Sequence, residues 1–570
     1  MSDKLLVQLE HPITGEYVYP KVLESGIILN DGRTLEGYIK DVSVFIMPKP
    51  STVEVNTKTL QTYLNYAKTF KKNVEIVFRE GVYNLNTCVI YANTTLVLQK
   101  NTTINHIRVN YYNPNLDREA IMNPLFLNAK PFDLADSNIT GYNGNGNIKI
   151  EANGGIIKAY NPFAFIHGKN IKFNNIVFKE TKSEHVIQMA SCKNVEFNKC
   201  EFIGIVDVAS SRKYVEMVQL DWATYTAMPY WIEGKPIYDN EVNDNIIFND
   251  CKFSKGEGEY GYVHTCIGSH GSTIVKNKNI YINRCYFNDF NYNAIRLYYM
   301  ENVYINSCNF NTNSITPSIG MANCNNVNID KSKVCGGNRF IFANTSENIS
   351  VNRALVESLN GSDSFILFAE SKDITIEDIS IKNSISSNYA LAIRNSTNVI
   401  IDKIKDIDND IKGGIFVLLY TKDSGISDKI IIKNLSTDCS KLVRATDTTN
   451  LIDGFTEEVL FKGEASSGEI TLNDSIENFK NVRICINYYG NIDTYLSFYN
   501  NICDIKHFNI ADDLSQSLDM DFLELRIEKI NNTTLKINHL NQVRLSNGTV
   551  TTTTPTAKIV RIYGERIKFK

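Results

Sequence analysis

The chain has 570 residues, 59 basic against 63 acidic side chains, and a hydrophobic fraction of 43%. That hydrophobic fraction is ordinary for a folded protein and excludes a disordered chain. The net charge of −4 gives no reason to expect nucleic acid or an anionic membrane as a partner. The sequence has no apolar run of about 18 residues and no charged-then-apolar leader, so we expect no membrane insertion, no signal peptide and synthesis in the cytoplasm.

Residues 1–50 contain no repeat, and the first predicted element follows them. Residues 58–71, KTLQTYLNYAKTFK, show the 3.6-residue spacing of an amphipathic helix. The short alternating run at 74–85 reads as the first strands. We expect the helix to cap the structure that begins there, because the end of a stack of strands offers unpaired edges.

A ten-residue phrase then recurs at intervals near 24 residues, except for one interval of 51, about two periods, and one of 34, a period plus an insertion. Its copies begin at residues 169, 193, 244, 278 and 301, with weaker copies at 325, 347, 372 and 397. Each copy alternates apolar and polar residues, as a strand does. A period of this length with several short strands is typical of a parallel β-helix, in which successive coils stack at ~4.8 Å. We expect the Asn that leads each phrase to occupy a left-handed turn and to hydrogen-bond along the stack.

The 12 cysteines stand singly along the chain. No pair has zinc-ligand spacing, and thiols stay reduced in a cytosol, so we predict no metal, no cofactor and no disulfide framework. Four of them share one position of the repeated phrase: Cys200, Cys251, Cys285 and Cys308. We interpret this column as an internal ladder of small apolar side chains rather than a metal or redox row, because no His joins it.

A second strand recurs before each phrase and fixes the register between coils. Its copies include HVIQMAS at 185–191, VEMVQLD at 215–221, TCIGSHG at 265–271 and AIRLYYM at 294–300. Alternation predicts one inward column, made of Ile187, Val218, Ile267 and Ile295. The first outward column then holds Gln188, Gln219, Gly268 and Arg296. The second outward column holds Ala190, Asp221, His270 and Tyr298.

The repeat stops near residue 455. Short alternating runs beyond it, such as 468–490, predict an antiparallel β domain. We therefore divide the all-β chain into an N-terminal region 1–50, a β-helix 51–454 and a C-terminal β-sandwich 455–570.

At this point the pattern is familiar. Residues 51–450 resemble the pectate-lyase-like right-handed β-helices of phage tail spikes and depolymerases. The resemblance rests on the order of the capping helix, GYNGNGNI at 141–148, the repeated phrases, VEMVQLD at 215–221 and IGSHG at 267–271. Residues 1–50 look like N-terminal pieces of tail proteins from phages of Gram-positive bacteria, and residues 455–570 look like their C-terminal β-sandwich. The resemblance implies a homotrimer in the virion tail or baseplate that binds and often cuts bacterial surface glycans.

The catalytic candidates come from the coils between residues 185 and 300. Asp221 is the first, because it faces outward and is expected ~5 Å from His270 on the next coil, as base and orienter or as an acid with a tuned pKa. Glu216 begins the same strand, although alternation places it inward unless the strand starts at a turn. Glu257 and Glu259, in the insertion 254–265, are candidates for the second carboxylate that glycoside cleavage needs.

The binding candidates are outward amides, charges and rings of the same coils, together with aromatic residues of the insertion 222–243. Such side chains bond sugar hydroxyls or stack on pyranose faces. The candidates are His185, Gln188, Gln219, Trp222, Trp231, Asp239, His264, Arg296 and Tyr298. Two alternatives stay open: the aromatic residues pack the loops or bury a trimer interface, and Arg296 binds an anionic group or only pairs with Asp221.

The resulting hypothesis is a phage tail spike that binds and hydrolyses a host polysaccharide or wall teichoic acid. Residues 1–50 would join it to baseplate or tail proteins. The alternatives are a non-enzymatic glycan-binding adhesin, a polysaccharide lyase and a secreted pectinase-like enzyme. A lyase ranks below a hydrolase because the outward columns contain no Asp cluster for calcium, and the missing leader argues against a secreted enzyme.

Overall fold

The computed structural model describes most of the repeats and much of the C-terminal region. The described residues are 9–10, 17–18, 42–70, 73–182, 185–206, 215–269, 275–411, 415–420, 428–436, 441–445, 451–452, 454–479, 481–487, 491–510, 520–546, 549–553 and 557–568. His270 and most of the predicted N-terminal region 1–50 lie outside these residues; a two-residue pairing joins Leu9–Glu10 to Tyr17–Val18.

The chain forms two compact units. The first comprises Met1–Ser211, Val218–Cys251 and Gly256–Gly261, and the second comprises Arg212–Met217, Lys252–Lys255 and Tyr262–Lys570.

The helix of the first unit spans Val53–Phe70. Its buried residues Leu60, Leu64 and Ala67 recur at the helical spacing, as predicted, and the helix packs on the first strands of the coils. It begins five residues before the predicted start at 58. The Thr52 hydroxyl accepts a hydrogen bond from the Val55 amide and so caps the helix. Val and Asn have weak helix propensity, so the sequence pattern did not predict this first turn.

Coils of the first unit contribute to three parallel ladders. The first strands of the coils are Cys88–Val89, Pro124–Leu127, Asn161–Ile166 and Ile187–Ala190, followed by Glu216–Asp221. The second strands are Val42–Ile46, Asn73–Phe78, Thr94–Leu98, Ile148–Ala152, Lys169–Asn174, Lys193–Asn198 and Asp244–Asn249. The third strands are Gly81–Leu85, Thr102–His106, Ile156–Lys158, Val177–Thr181 and Glu201–Ile205. A hairpin of Asn110–Asn113 and Arg118–Ile121 leaves the coils.

The second unit repeats this arrangement. Its first strands are Thr265–Gly268, Ile295–Tyr298, Pro317–Ala322, Arg339–Asn344, Ser364–Ala369, Tyr389–Arg394, Ile415–Tyr420 and Lys441–Ala445. Its second strands are Asn277–Asn283, Met300–Asn306, Asn325–Asp330, Glu347–Asn352, Lys372–Ile376, Thr397–Ile407, Asp428–Ser436 and Leu451–Ile452. Its third strands are Lys252–Ser254, Tyr286–Asn288, Asn309–Asn311, Lys333–Cys335, Ala354–Glu357 and Ile379–Lys382, and short strands Asn360–Gly361, Ile385–Ser386 and Asp410–Ile411 form a further ladder.

The predicted register is confirmed within each unit. Ile187 pairs with Val218 and Gln188 with Gln219 in the first unit. Ile267 pairs with Ile295 in the second, which sets Gly268 beside Arg296. Every copy of the repeated phrase forms the second strand of its coil, so the parallel β-helix predicted from the sequence is the observed fold.

Like side chains stack on like side chains between coils. In the first unit the rings of Phe173, Phe197 and Phe248 are fully buried, and their centroids lie 4.7 and 4.8 Å apart with nearly parallel planes. These distances match the spacing of neighbouring strands, so ring stacking and backbone hydrogen bonding act at the same interval.

Asparagines form a second stack at the second residue of the second strands. Asn170 and Asn194 have left-handed φ angles of 55° and 56°. The side-chain amide of Asn194 donates to Asn170 at 3.0 Å, and that of Asn245 donates to Asn194 at 2.9 Å. The ladder expected from the sequence is therefore present, and Asn suits it because it tolerates the left-handed turn.

The four cysteines of the column are buried, as predicted for an internal ladder, and none of the four is part of a disulfide. The Sγ atoms of Cys200 and Cys251 each donate to a backbone carbonyl at 3.4 Å, and burial raises the pKa of the Cys200 thiol well above its usual value. These thiols therefore act as small interior side chains and are poor nucleophiles.

The C-terminal region folds into two antiparallel sheets. One contains Gly454–Ala465, Lys558–Lys568, Asn481–Asn487 and Asn491–Tyr495, and the other contains Gly468–Thr471, Ile502–Ile510, Met520–Asn531, Thr534–Ser546 and Thr549–Thr553. Buried residues of both sheets share one core, which includes Leu460, Ile484, Leu525 and Ile537. Gly454–Ala465 pairs in parallel with Asp428–Ser436 and antiparallel with Lys558–Lys568, so the predicted boundary at residue 455 falls at the start of this joining strand.

No helix among the described residues is long and apolar enough to cross a membrane.

His106 ends the third strand Thr102–His106 with its ring on the buried face. The side chain is 6% exposed, and neither ring nitrogen has a hydrogen-bond partner in the described structure. Burial, helped by the nearby Arg108 charge, lowers the pKa of His106 to about 3. Below a pH of about 6.5 the unfolded chain binds a proton that the folded chain does not, so stability falls as the pH falls from there towards 3.

We therefore expect His106→Leu to flatten the pH dependence of stability. Between pH 7 and pH 4, the free energy of unfolding should fall by about 3 kcal/mol more in the wild type than in the variant. Urea unfolding across this range measures the difference, and Ile104→Leu on the same strand face controls for repacking. Parallel curves for wild type and His106→Leu would contradict the burial argument.

Candidate functional site

A buried ion pair lies on the outward side of the first strands in the second unit. Arg296 and Glu216 are 6% and 0% exposed, and Arg296 Nη1 lies 3.4 Å from Glu216 Oε1. Glu216 is the first residue of its strand, the position from which the sequence allowed an outward side chain. Its carboxylate therefore joins the predicted outward column instead of the coil interior.

Gly268 makes room for this pair. A Cβ atom at Gly268 would lie 2.9 Å from the Arg296 Cβ and 3.1 Å from the Glu216 Cγ. Both distances are too short for carbon atoms that cannot move freely, so a side chain at 268 would displace the pair. The glycine in the predicted outward column is thus explained by its two charged neighbours.

Tyr298 completes the cluster. The Arg296 guanidinium lies 4.2 Å from the centre of the Tyr298 ring, which is half-buried. The Ser269 hydroxyl donates to the Tyr298 carbonyl at 2.9 Å and joins the neighbouring coil to this strand. Carboxylate and aromatic ring together hold the guanidinium in one orientation, as cation–π and charge-assisted contacts do.

Asp221 and Gln219 form a separate cluster in the first unit. Gln219 Nε2 donates to Asp221 Oδ2 at 2.8 Å, and the side chain of Asn243 donates to the Asp221 carbonyl at 2.7 Å. Asp221 is 3% exposed. The structure therefore corrects the expectation of an open, solvent-facing carboxylate: Asp221 is held in a covered polar network.

The insertion 222–243 packs onto the outward face of the first-unit coils. Gln188 donates to the Ala227 carbonyl at 2.7 Å, and its carbonyl oxygen accepts from the Tyr230 hydroxyl at 2.9 Å and from Asn161 at 3.0 Å. Gln188 therefore anchors the insertion. The expectation that it binds sugar is corrected, because its polar atoms are used by protein groups in a buried site.

The two tryptophans of the insertion are also buried. Trp231 is 0% exposed in an apolar cluster with Ala190, Met228 and Ile237, and Trp222 is 3% exposed. The expectation that these rings offer open faces to a glycan is therefore corrected. The alternative that loop aromatics hold the loop down describes Trp231.

Asp239 anchors the end of the same insertion. Its carboxylate accepts from the backbone amides of Gly141 at 2.8 Å and Glu241 at 2.9 Å. The buried ring of His167 lies between the carbonyls of Gly141 and Ile237, at 2.5 and 2.8 Å. Asp239 thus clamps the end of the insertion, and because the residue is exposed, its role in glycan binding stays a prediction.

Glu257 and Glu259 are exposed beside the short 3-10 turn Gly258–Tyr260. Tyr260 hydrogen-bonds Lys182, which raises the pKa of that lysine, and it also bonds Glu259. A Cβ atom at Gly204, where φ is 63°, would lie 2.2 Å from the Tyr260 carbonyl, so the turn approaches the coil closely at this glycine. Both carboxylates remain accessible, as the sequence prediction requires.

The histidine candidates are less informative. His185 is buried, and His264 is half-buried beside the Tyr262 ring at a centroid distance of 6.2 Å. The structure brings together Glu216, Arg296 and Tyr298 in one unit, and Gln219 and Asp221 in the other. The grouping of Asp221, His270 and Arg296 stays a prediction, because His270 is not described and the other two belong to different units.

Sequence reasoning missed several residues that shape these clusters. Polar contacts in these clusters come from Asn161, Asn243 and His167. Each of these residues lies beside or within an apolar strand, at a position that the sequence analysis did not identify as part of a repeat. Buried amides and imidazoles in strands of a solenoid are the signal that could have identified them, because such groups require hydrogen-bond partners. No group of three or more His, Cys, Asp or Glu side chains in the described ranges is placed to hold a metal ion.

Comparison with known proteins places the fold of the chain in a structural class. No family model matches the chain. Plasmin and fibronectin-binding protein A of Streptococcus pneumoniae is 25% identical over 147 residues, which are 25% of this chain and 20% of that protein. The match thus spans about a fifth of the relative's length.

Solved structures are similar over more of the chain. PfbA, a surface adhesin of Streptococcus pneumoniae, superimposes with a TM-score of 0.50 at 15% identity, over 72% of this chain and 93% of its own. A family 28 exopolygalacturonase of Yersinia enterocolitica has a TM-score of 0.47 at 11% identity, over 70% and 78% of the two chains. A tailspike protein of E. coli bacteriophage HK620 has a TM-score of 0.39 at 11% identity, over 94% and 95%. At these identities likeness concerns the fold alone, and with the parallel ladders the PfbA match confirms a right-handed parallel β-helix.

The Glu216–Arg296 pair predicts an asymmetric response to substitution. Arg296→Met should cost about 3 kcal/mol or more in free energy of unfolding, because it leaves a buried carboxylate without its cation. Adding Glu216→Met should restore most of that loss, since two apolar side chains need no partner.

Denaturant unfolding of the two variants measures this difference. The matched control is Lys333→Met, which breaks the exposed ion pair of Lys333 with Glu357 at 2.7 Å and should cost at most about 1 kcal/mol. Equal losses for Arg296→Met and Lys333→Met would show that the buried pair carries no special penalty.

Proposed function

We propose that this chain is a receptor-binding protein of the tail-spike kind that holds a bacterial surface polysaccharide on the lateral face of its β-helix. The observation that carries the proposal is the half-buried Tyr298 ring, which stacks on the buried Arg296 guanidinium and is held in one orientation by it. A partly exposed aromatic ring in a fixed orientation suits stacking on the apolar face of a sugar ring.

Burial favours binding over cleavage as the primary activity. Glycoside hydrolysis needs two carboxylates that reach the glycosidic bond. Glu216 is engaged by Arg296, and Asp221 is covered and bonded to Gln219. Binding by preorganised polar groups requires no such access to a reacting carboxylate, because groups already held by neighbours lose little freedom when a ligand arrives.

The proposal includes the attachment of this protein to the virion and its oligomeric state. The motifs of residues 1–50 support attachment to the phage baseplate or tail, and the resemblance as a whole supports a homotrimer in the virion. A host protein receptor is the competing idea, because the curated relative is named for binding plasmin and fibronectin and its solved relative is described as a surface adhesin.

Cell binding tests the proposal. Labelled full-length protein should bind intact Gram-positive cells, and periodate oxidation of the cell surface should abolish binding while protease treatment should not. Tyr298→Ala should weaken binding to the purified surface polysaccharide about tenfold, whereas Tyr286→Ala, which removes an exposed ring from a third strand, should not. Binding that survives periodate and is lost after protease would favour a protein receptor instead.

Hydrolysis by Asp221 is the second candidate activity. The observation that favours it is the Gln219 hydrogen bond, which holds the Asp221 carboxylate on the outward column beside the insertion 222–243. Exposed Glu257 and Glu259 supply further carboxylates in the same unit. A base and an acid drawn from these groups would suit polysaccharide hydrolysis.

Asp221→Asn should therefore keep glycan binding and lower hydrolysis about a hundredfold or more. Release of reducing ends or phosphate from purified wall glycan measures the rate, with Asp239→Asn in the loop clamp as the carboxylate control. Equal release by wild type and Asp221→Asn would remove Asp221 from catalysis. Ultraviolet-absorbing unsaturated ends would indicate a lyase, and absence of any product would leave a protein that only binds.

A further inference from the structure

A furrow of about 490 Å³ runs along the second unit, at the turns between the first and second strands. It extends over consecutive coils from Lys276 to Thr397. Tyr299, Asn323 and Thr345 are among the residues that line it, and none of its lining residues belongs to the Glu216–Arg296 cluster. The furrow is therefore a separate surface feature within the same unit.

Small buried side chains form the floor of the furrow. Cys324, Ser346 and Ser371 follow one another on successive coils and are at most 2% exposed. The Ser346 hydroxyl donates to the Asn344 carbonyl at 2.9 Å and accepts from the Cys324 amide at 3.1 Å. Ser371 makes the equivalent bonds, at 2.8 and 3.2 Å. The floor is thus rigid and fully bonded, and its small residues leave the space above it open.

One wall of the furrow contains a strained residue. Thr345 has a left-handed φ of 49°, and no other β-branched residue among those described has a positive φ. This conformation is unfavourable for a β-branched side chain by roughly 1–2 kcal/mol. Asn323 and Asn395 occupy the same turn position in nearby coils, and Asn adopts this conformation easily. Strained residues of this kind concentrate at ligand sites.

The charges of the furrow nearly balance. Glu347 and Lys372 form an ion pair across adjacent coils, with Oε2 and Nζ 2.5 Å apart, and the hydrogen bond to Glu347 raises the pKa of Lys372. Lys276 and Glu370 add one charge of each sign. Amides and hydroxyls supply most of the remaining polar groups, so the lining offers many hydrogen bonds and no strong net field.

We infer that the furrow binds a linear, uncharged or zwitterionic segment of a polysaccharide, laid along the coil axis. The equivalent turns repeat at ~4.8 Å, a spacing close to the advance of one sugar unit in an extended chain. Each coil that lines the furrow therefore presents at least one polar side chain to a chain laid along it. The balanced polar lining disfavours a lipid, an apolar peptide and a polyanion. This inference rests on the proposed glycan-binding function and adds a second site to it.

The experiment uses the full chain and oligosaccharides of two to ten sugars, prepared from the surface polysaccharide of cells that the protein binds. Calorimetry measures affinity for each size fraction. Affinity should rise with length until the oligosaccharide spans the furrow. Glu347→Ala/Lys372→Ala should then lower affinity for the longer fractions about tenfold, because both hydrogen-bonding charges are lost.

The matched control is Lys333→Ala/Glu357→Ala, which removes another exposed inter-coil ion pair of the second unit that does not line the furrow. It should leave affinity unchanged. Thr345→Asn should raise the midpoint of thermal unfolding and weaken binding, a combination that a folding defect cannot produce.

The outcomes separate the two proposals. Wild-type protein that binds no fraction would defeat the proposed function itself. Wild-type protein that binds, with furrow variants that retain its affinity and its length dependence, would overturn the furrow site and leave the proposed function in place. Loss of affinity in the control pair equal to that in the furrow pair would also overturn it.

Discussion

Contact between identical side chains on successive coils is the interaction on which the rest of this structure depends. Backbone hydrogen bonds hold neighbouring strands at one spacing, and the Phe173–Phe197–Phe248 rings stack at nearly that distance. Asparagine amides bond one another at the same interval. A slip of one residue would place apolar rings at the surface and separate the amides, so several independent contacts oppose any change of register.

This contact between equivalent residues of successive coils explains why the fold could be predicted from the sequence. Repetition of one phrase fixed the strands, the inward Ile column and the Asn turns, because each follows from alternation and period. The start of the helix at Val53 was harder to predict, since its first turn contains residues with low helix propensity and is stabilised by hydrogen bonds of the Thr52 and Asn56 side chains. The cysteine column was interpretable for the same reason as the rings: its members share one position in four copies of the phrase.

The candidate site was harder to predict from the sequence, because its decisive contacts do not follow the period of the repeats. Alternation correctly placed Arg296 and Asp221 on outward columns, but it could not show that Gln219 and Asn243 enclose Asp221. Nor could it show that the insertion 222–243 folds back on Gln188 and carries Trp231 into an apolar cluster. An insertion has no second copy against which its packing can be compared. A side chain can therefore point outward from the coil and still be buried from solvent.

The buried pair of Glu216 and Arg296 shows how a regular scaffold tolerates an expensive feature. Desolvating two charges is unfavourable, and their mutual attraction offsets the penalty only with good geometry and additional contacts. Gly268 leaves space for the pair, and the Tyr298 ring covers one side of the guanidinium. Neighbouring coils supply fixed surfaces on both sides, so a conformation that would be costly on a mobile loop is maintained on consecutive strands.

The strand Gly454–Ala465 has a consequence for the behaviour of the protein in concentrated solution. It pairs in parallel with Asp428–Ser436 on one side and antiparallel with Lys558–Lys568 on the other. An added molecule would need to continue the parallel pattern to lengthen the stack, and this strand no longer offers it. The transition thus closes the second-strand ladder to further parallel pairing at this end, where an open edge would be a template for fibre growth.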